Sequence, residues 1–161
     1  MRDQLSNEAA LKYFLLGSLA SCIFVYGIAL IYVSLSIIGV YDISFAISFI
    51  GPDNVPLTTF VGLILIIVGL LFKVAAAPFQ AWAPDVYQGS PTGYVGYMAT
   101  VAKVSSFIVL ARLVAVSLTF IINQFDLFFG AVVILSVLAG ALFAANQTCL
   151  LYTSPSPRDR G

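Results

Sequence analysis

Lys73 and Lys103 are the residues whose surroundings single them out for chemistry. Lys73 closes the run Gly62-Leu63-Ile64-Leu65-Ile66-Ile67-Val68-Gly69-Leu70-Leu71-Phe72, and apolar turns flank Lys103 on both sides. An ammonium group at the centre of a membrane span costs about 2.5–3.5 kcal/mol on insertion scales, so lysines kept there mark ion pathways and proton relays. In general, desolvation disfavours a charged amine, a second amine nearby disfavours it further, and an acid neighbour restores it. A lysine poised between those influences can gain and lose a proton, which a relay needs. Helix geometry puts Lys73 about 21 Å from the outer face and Lys103 about 14 Å from the inner one. The two levels then differ by only about 5 Å in a hydrocarbon core of about 30 Å. Snorkelling is the competing role, since a lysine stem can carry its head towards an interface that lies about 9 Å from Lys73. Glu8, Asp42, Asp53, Asp85 and Asp126 all fall at span ends or in connectors. Any carboxylate partner at the level of the lysines must therefore come from helices outside this chain. Lys12 and Arg112 lie near span ends, where anchoring is the expected role.

Pro78 and Pro84 follow Lys73 in the stretch Ala77-Pro78-Phe79-Gln80-Ala81-Trp82-Ala83-Pro84-Asp85. A proline inside a helix removes a backbone donor and clashes with the carbonyl four residues earlier, at about 3 kcal/mol. Such breaks survive in a membrane only when buried in protein or lining a wet cavity. Two readings remain open here. One is a discontinuous helix next to buried charge, a transporter feature. The other is a plain helix end at Ala77, followed by an interfacial segment with Trp82 and Tyr87 as belt aromatics.

The elements that must position these residues follow from composition. Of 161 residues, 61% are apolar and 9% charged, there is no histidine, and the mean hydropathy is +1.05. Soluble domains carry about 25% charged residues, so a water-soluble globule is excluded. Seven basic residues cancel seven acidic ones, which leaves no basic surface for nucleic acid. Two cysteines, Cys22 and Cys149, cannot build a disulfide framework or a four-ligand zinc site; Cys22 is expected as a small buried hydrophobe. Charge-free stretches of membrane length predict an all-α integral membrane protein with four helices, at about 11–38, 57–79, 92–120 and 127–145. The alternating polarity of a membrane barrel is missing. Gly51-Pro52-Asp53-Asn54-Val55-Pro56, Gln88-Gly89-Ser90-Pro91 and Asn123-Gln124-Phe125-Asp126 read as connectors. Gly17 and Ser21 fit small-residue helix packing. Arg2 and Lys12 precede the first span, which puts the N-terminal end and the Gln80–Pro91 connector on the cytoplasmic side; Arg112 argues against this.

Three stretches of the chain resemble a known family. They are Glu8-Ala9-Ala10-Leu11-Lys12-Tyr13-Phe14-Leu15-Leu16-Gly17, Phe72-Lys73 through Pro78-Phe79-Gln80-Ala81-Trp82, and Pro84-Asp85-Val86-Tyr87-Gln88-Gly89-Ser90-Pro91-Thr92. They are similar to the N subunits of proton-pumping NADH:quinone oxidoreductase, the antiporter-like proteins of the respiratory complex I membrane arm. The likeness runs over nearly all of Leu5 to Gln147. It implies a bundle of about fourteen helices built from inverted repeats, of which this chain resembles the sixth to ninth, with the second of its four discontinuous. By this resemblance Lys73 and Lys103 form a proton relay, the lysines of the broken seventh helix and of the eighth. The partner glutamate of the fifth helix then lies upstream of Met1, and the lysine of the twelfth lies downstream. Gln80 stands where the family usually has histidine; glutamine cannot carry a proton, so it offers only a polar step on the path. The resemblance further implies that NADH and quinone are used by the whole complex while this chain binds no cofactor. Its expected partners are the other membrane-arm subunits and the lipid bilayer, and its expected location is the bacterial inner membrane. Two other functions remain compatible: a subunit of a related multisubunit cation/proton antiporter, and a structural scaffold of the membrane arm. Residues 149–161 resemble the translation of a sequencing-library adapter, so residues 1–148 are taken as a partial antiporter-like domain and the tail as foreign to the fold.

Overall fold

The computed structural model describes residues 2–146; residues 149–161, expected to be adapter sequence, lie outside that range. Among the described residues every regular element is helical: α1 (Arg2–Leu35), α2 (Val40–Ile50), α3 (Leu57–Val74), α4 (Trp82–Gly89), α5 (Thr92–Ala99), α6 (Val101–Arg112) and α7 (Ile122–Asn146), with short 3-10 and π turns between some of them. Four stretches are long and apolar enough to cross a bilayer: Ala10–Leu35, Leu57–Gly89, Gly93–Ser117 and Ile122–Ala145. A helix satisfies its own backbone in hydrocarbon, and the chain is accordingly an all-α, multi-pass membrane protein.

Three elements differ from the expected pattern. The connector after the first span contains a further helix, α2. Its 11 residues are too few to cross a core that needs about twenty, and it packs inward through Ile43 and Ile47, one turn apart. The third span is segmented. It bends at Thr100 (φ −108°, ψ −75°), whose hydroxyl donates to the Gly96 carbonyl, and it ends in a π turn over Leu113–Ser117. The second span is interrupted: its first helix stops at Val74, several residues before Pro78 and short of the expected end at residue 79. Cys22 is exposed on α1 in this chain.

Helices α1 and α3 run antiparallel. Ser34, near the end of α1, meets Thr59, near the start of α3, with hydroxyls 2.8 Å apart. Glycine makes their contact close. A Cβ added at Gly27 would sit 2.7 Å from the Gly62 carbonyl oxygen, one at Gly62 would sit 2.9 Å from that of Gly27, and one at Gly69 would meet Phe24 at 2.8 Å. Small residues at such positions let membrane helices approach backbone to backbone. Gly17 is not one of them, because a Cβ there meets nothing within 4 Å. Two apolar clusters result. The larger joins Ile31, Ile47, Leu63, Ile67, Leu118 and Phe125 at the α2 end of the pair. The smaller, of Trp82, Ala83 and Val86, lies at the opposite end, against Phe72 and Tyr87.

Candidate functional site at the interruption of α3

Lys73 is the second-last residue of α3, and the helix stops because of the turn that follows it. Ala75 adopts a left-handed conformation (φ 61°, ψ 41°). Its N–H donates to the Phe72 carbonyl and the Ala76 N–H to the Leu71 carbonyl, both at 3.0 Å. Together these bonds form a Schellman stop with alanine where glycine is usual. The Ala77–Pro78 peptide is cis, and Phe79–Ala81 forms one 3-10 turn before α4 begins. Of the two prolines expected to interrupt the span, Pro78 lies inside the interruption. Pro84 is the third residue of α4, in the first turn, where its missing N–H is not needed.

An interruption at membrane depth exposes backbone groups that lipid cannot satisfy, and here side chains meet them. The Ser136 hydroxyl of α7 accepts the Ala77 N–H at 3.1 Å. The Trp82 indole N–H donates to the Phe72 carbonyl at 3.1 Å. Gln80 sits within the 3-10 turn; its Oε1 and the Tyr87 hydroxyl are enclosed, with no hydrogen-bond partner among the described residues.

Lys73 stands on the wall of an open cavity of about 590 Å³, together with Tyr13, Gly17, Ser21, Trp82 and Ser106. Its side chain is exposed in this chain, and its Nζ lies 5.2 Å from the centre of the Phe24 ring. Lys103 is half-buried, with Nζ 5.5 Å from the centre of the Tyr87 ring. Both ammonium groups thus lie against aromatic faces, which attract cations. The lysines are joined through rings: Phe72, next to Lys73, stacks on Trp82 at 5.7 Å, and Trp82 packs nearly perpendicular to Tyr87 at 6.2 Å. The serines on the cavity wall have directed their protons to backbone carbonyls, Ser21 to Gly17 and Ser106 to Ala102. What they offer the cavity is acceptor lone pairs, matched to a group that only donates.

Glu8 and Asp85 serve a different lysine. Lys12 Nζ lies 2.7 Å from Asp85 and 2.8 Å from Glu8, so the start of α1 is bound to α4 rather than only anchored at an interface. Arg112 is at the opposite end, where it donates to the Tyr41 hydroxyl of α2 at 3.3 Å.

Residues 1–150 match the family model described as NADH:quinone oxidoreductase/Mrp antiporter, transmembrane. The chain belongs to that family. Antiporter-like relatives include the NADH-quinone oxidoreductase subunit N of Mycobacterium bovis, 44% identical over 147 residues that make up 91% of this chain and 27% of that protein. The subunit N of Salinispora arenicola is 43% identical, over 91% of this chain and 29% of its own length. A chain of respiratory complex I from Thermus thermophilus, solved with bound aureothin, superposes with a TM-score of 0.54 at 46% identity, covering 65% of this chain and 22% of that one. The chain therefore spans less than a third of the length of the curated relatives it matches. The family likeness was legible from the proline, aspartate and lysine runs. Ser136, Phe24 and the left-handed Ala75 were not, since each acts through partners or geometry that no local pattern marks.

Proposed function

We propose that the full-length protein is a membrane subunit of an NADH:quinone oxidoreductase and relays protons through Lys73 and Lys103. Other subunits would carry out electron transfer from NADH to quinone, and this chain would bind neither. The observation that supports the reading best is Lys73 at the open end of a stopped helix, on the wall of a cavity whose serines present acceptors. A protonated amine there has three hydrogens to share with water and, in the complete protein, with a carboxylate from another helix. Lys103, against Tyr87, would take the proton onward through water. Coupling would be electrostatic, through charge moved near Lys73 by the rest of the complex. The assembly would sit in the bacterial cell membrane with the Lys12–Asp85 end towards the cytoplasm, the end that carries the basic residues of the N-terminal segment.

The test is Lys73→Ala and Lys103→Ala in the full-length subunit within its complex, assayed in inverted membrane vesicles. We expect NADH-driven proton uptake per electron pair to fall severalfold while assembled complex persists. Wild-type uptake with intact assembly would remove the substituted lysine from the path. A scaffold role predicts the reverse pattern, with less assembled complex and an unchanged ratio in what survives.

A further inference from the structure

We propose that Trp82 is a positioning residue that holds the two lysines in register across the interruption of α3; the inference rests on the relay reading above. Trp82 is the first residue of α4 and is 5% exposed. In an unbroken helix the Phe72 carbonyl would accept the Ala76 N–H, four residues on. Here that N–H turns back to Leu71. The Phe72 carbonyl accepts the Ala75 N–H at 3.0 Å and the indole N–H as a second donor at 3.1 Å, so a side chain of α4 reinforces the last turn of α3, one residue before Lys73.

The ring of Trp82 makes the other half of the link. It stacks on Phe72 with centroids 5.7 Å apart and planes at 23°. It packs against Tyr13 of α1 at 5.6 Å. Its contact with Tyr87 is nearly perpendicular, at 80°, and the face of Tyr87 carries Lys103. One side chain thus touches the residue beside Lys73 and the ring beneath Lys103. If α4 rotates about its axis, the Tyr87 platform moves relative to Lys103 and the Phe72 carbonyl loses its indole partner in the same motion. The Lys12–Asp85 pair resists that rotation from the outer side of α4, and Trp82 resists it from within.

Trp82→Phe keeps an aromatic ring and removes the donor. In the assembled full-length complex in vesicles, we expect severalfold less proton uptake per NADH and a displaced pH profile of coupled turnover. A merely structural tryptophan would lower the amount of complex and leave both readouts unchanged. Wild-type ratio and pH profile in Trp82→Phe, with Lys73→Ala and Lys103→Ala defective in the same vesicles, would overturn the positioning role alone. If the lysine variants pump normally, the relay reading fails and this inference falls with it. If Trp82→Phe does not assemble, 3-benzothienylalanine at position 82 removes only the N–H from an indole-shaped ring. A reduced ratio there supports the proposal, and either a wild-type ratio or loss of assembly assigns the indole to folding and overturns it.

Discussion

At the α2 end of the α1–α3 pair, glycine lets backbone touch backbone; at the α4 end, glycine borders open space. Gly27 and Gly62 each place a carbonyl oxygen under 3 Å from where the other's Cβ would lie, whereas a Cβ at Gly17 would meet nothing within 4 Å. The same two helices thus form a close clamp from Gly62 to Gly69 and a cavity wall beyond it, at Gly17 and Lys73. Rigidity at the clamp has a purpose for the cavity. It fixes the axis of α3, and the left-handed turn at Ala75 then sets where along that axis the helix stops, and Lys73 with it.

The sharpest way to break this comparison is to put the same methyl group at both ends. Gly62→Ala drives a Cβ to 2.8 Å from Ile31 Cγ1 and 2.9 Å from a backbone oxygen that cannot move aside. Overpacking of this kind costs about 1–3 kcal/mol, and we expect a clear drop in the thermal midpoint of the full-length protein in detergent. Gly17→Ala should be neutral or gain up to about 1 kcal/mol from helix propensity. Equal losses at the two sites would show that the helices of the complete protein close the cavity, and the contrast between the two ends would disappear.

A smaller effect is expected at the junction of the interruption with α7. Ser136 is the hydrogen-bond acceptor for the Ala77 N–H. Ser136→Ala leaves that donor without a partner, at a cost of about 1–2 kcal/mol, while Ser136→Thr retains an oxygen. A lower thermal midpoint for the alanine variant, recovered by threonine, is the expected pattern. Identical midpoints for all three proteins would mean that the turn draws nothing from α7.

The difference between the two ends also explains what the sequence disclosed. The spans were legible because lipid demands long apolar runs, and Lys73 and Lys103 stood out because such runs rarely tolerate an amine. The α1–α3 clamp was not, since glycine is common in membrane helices and only the facing helix reveals which glycines are needed; Gly17 fitted the small-residue pattern, yet it is Gly27 that the facing helix crowds. Helix α2 was missed for a related reason. Its Ile43–Ile47 stripe has helical spacing, but 11 residues that include Asp42 and run into Gly51 and Pro52 resemble a loop. The Lys12–Asp85 pair joins positions 73 residues apart, beyond any local signal. The interruption itself was half legible. Pro78 announced that the helix must end, but the residue that ends it is an alanine, which carries no turn signal of its own.

That alanine supplies the smallest and most local test. Ala75 holds φ at 61°, where an L-residue with a Cβ is disfavoured by about 1–2 kcal/mol. Glycine occupies the same region without that clash, but it makes the unfolded chain more flexible, which returns about 0.4–1 kcal/mol. Ala75→Gly should therefore stabilise the full-length protein by about 0.5–1 kcal/mol, seen as a modest rise in thermal midpoint, with the Phe72 and Leu71 carbonyls bonded as before. Ala75→Val, with a branched side chain in the same conformation, should lower the midpoint. If glycine destabilises and valine does not, the left-handed stop is not what ends α3, and the position of Lys73 must be set by Pro78 instead.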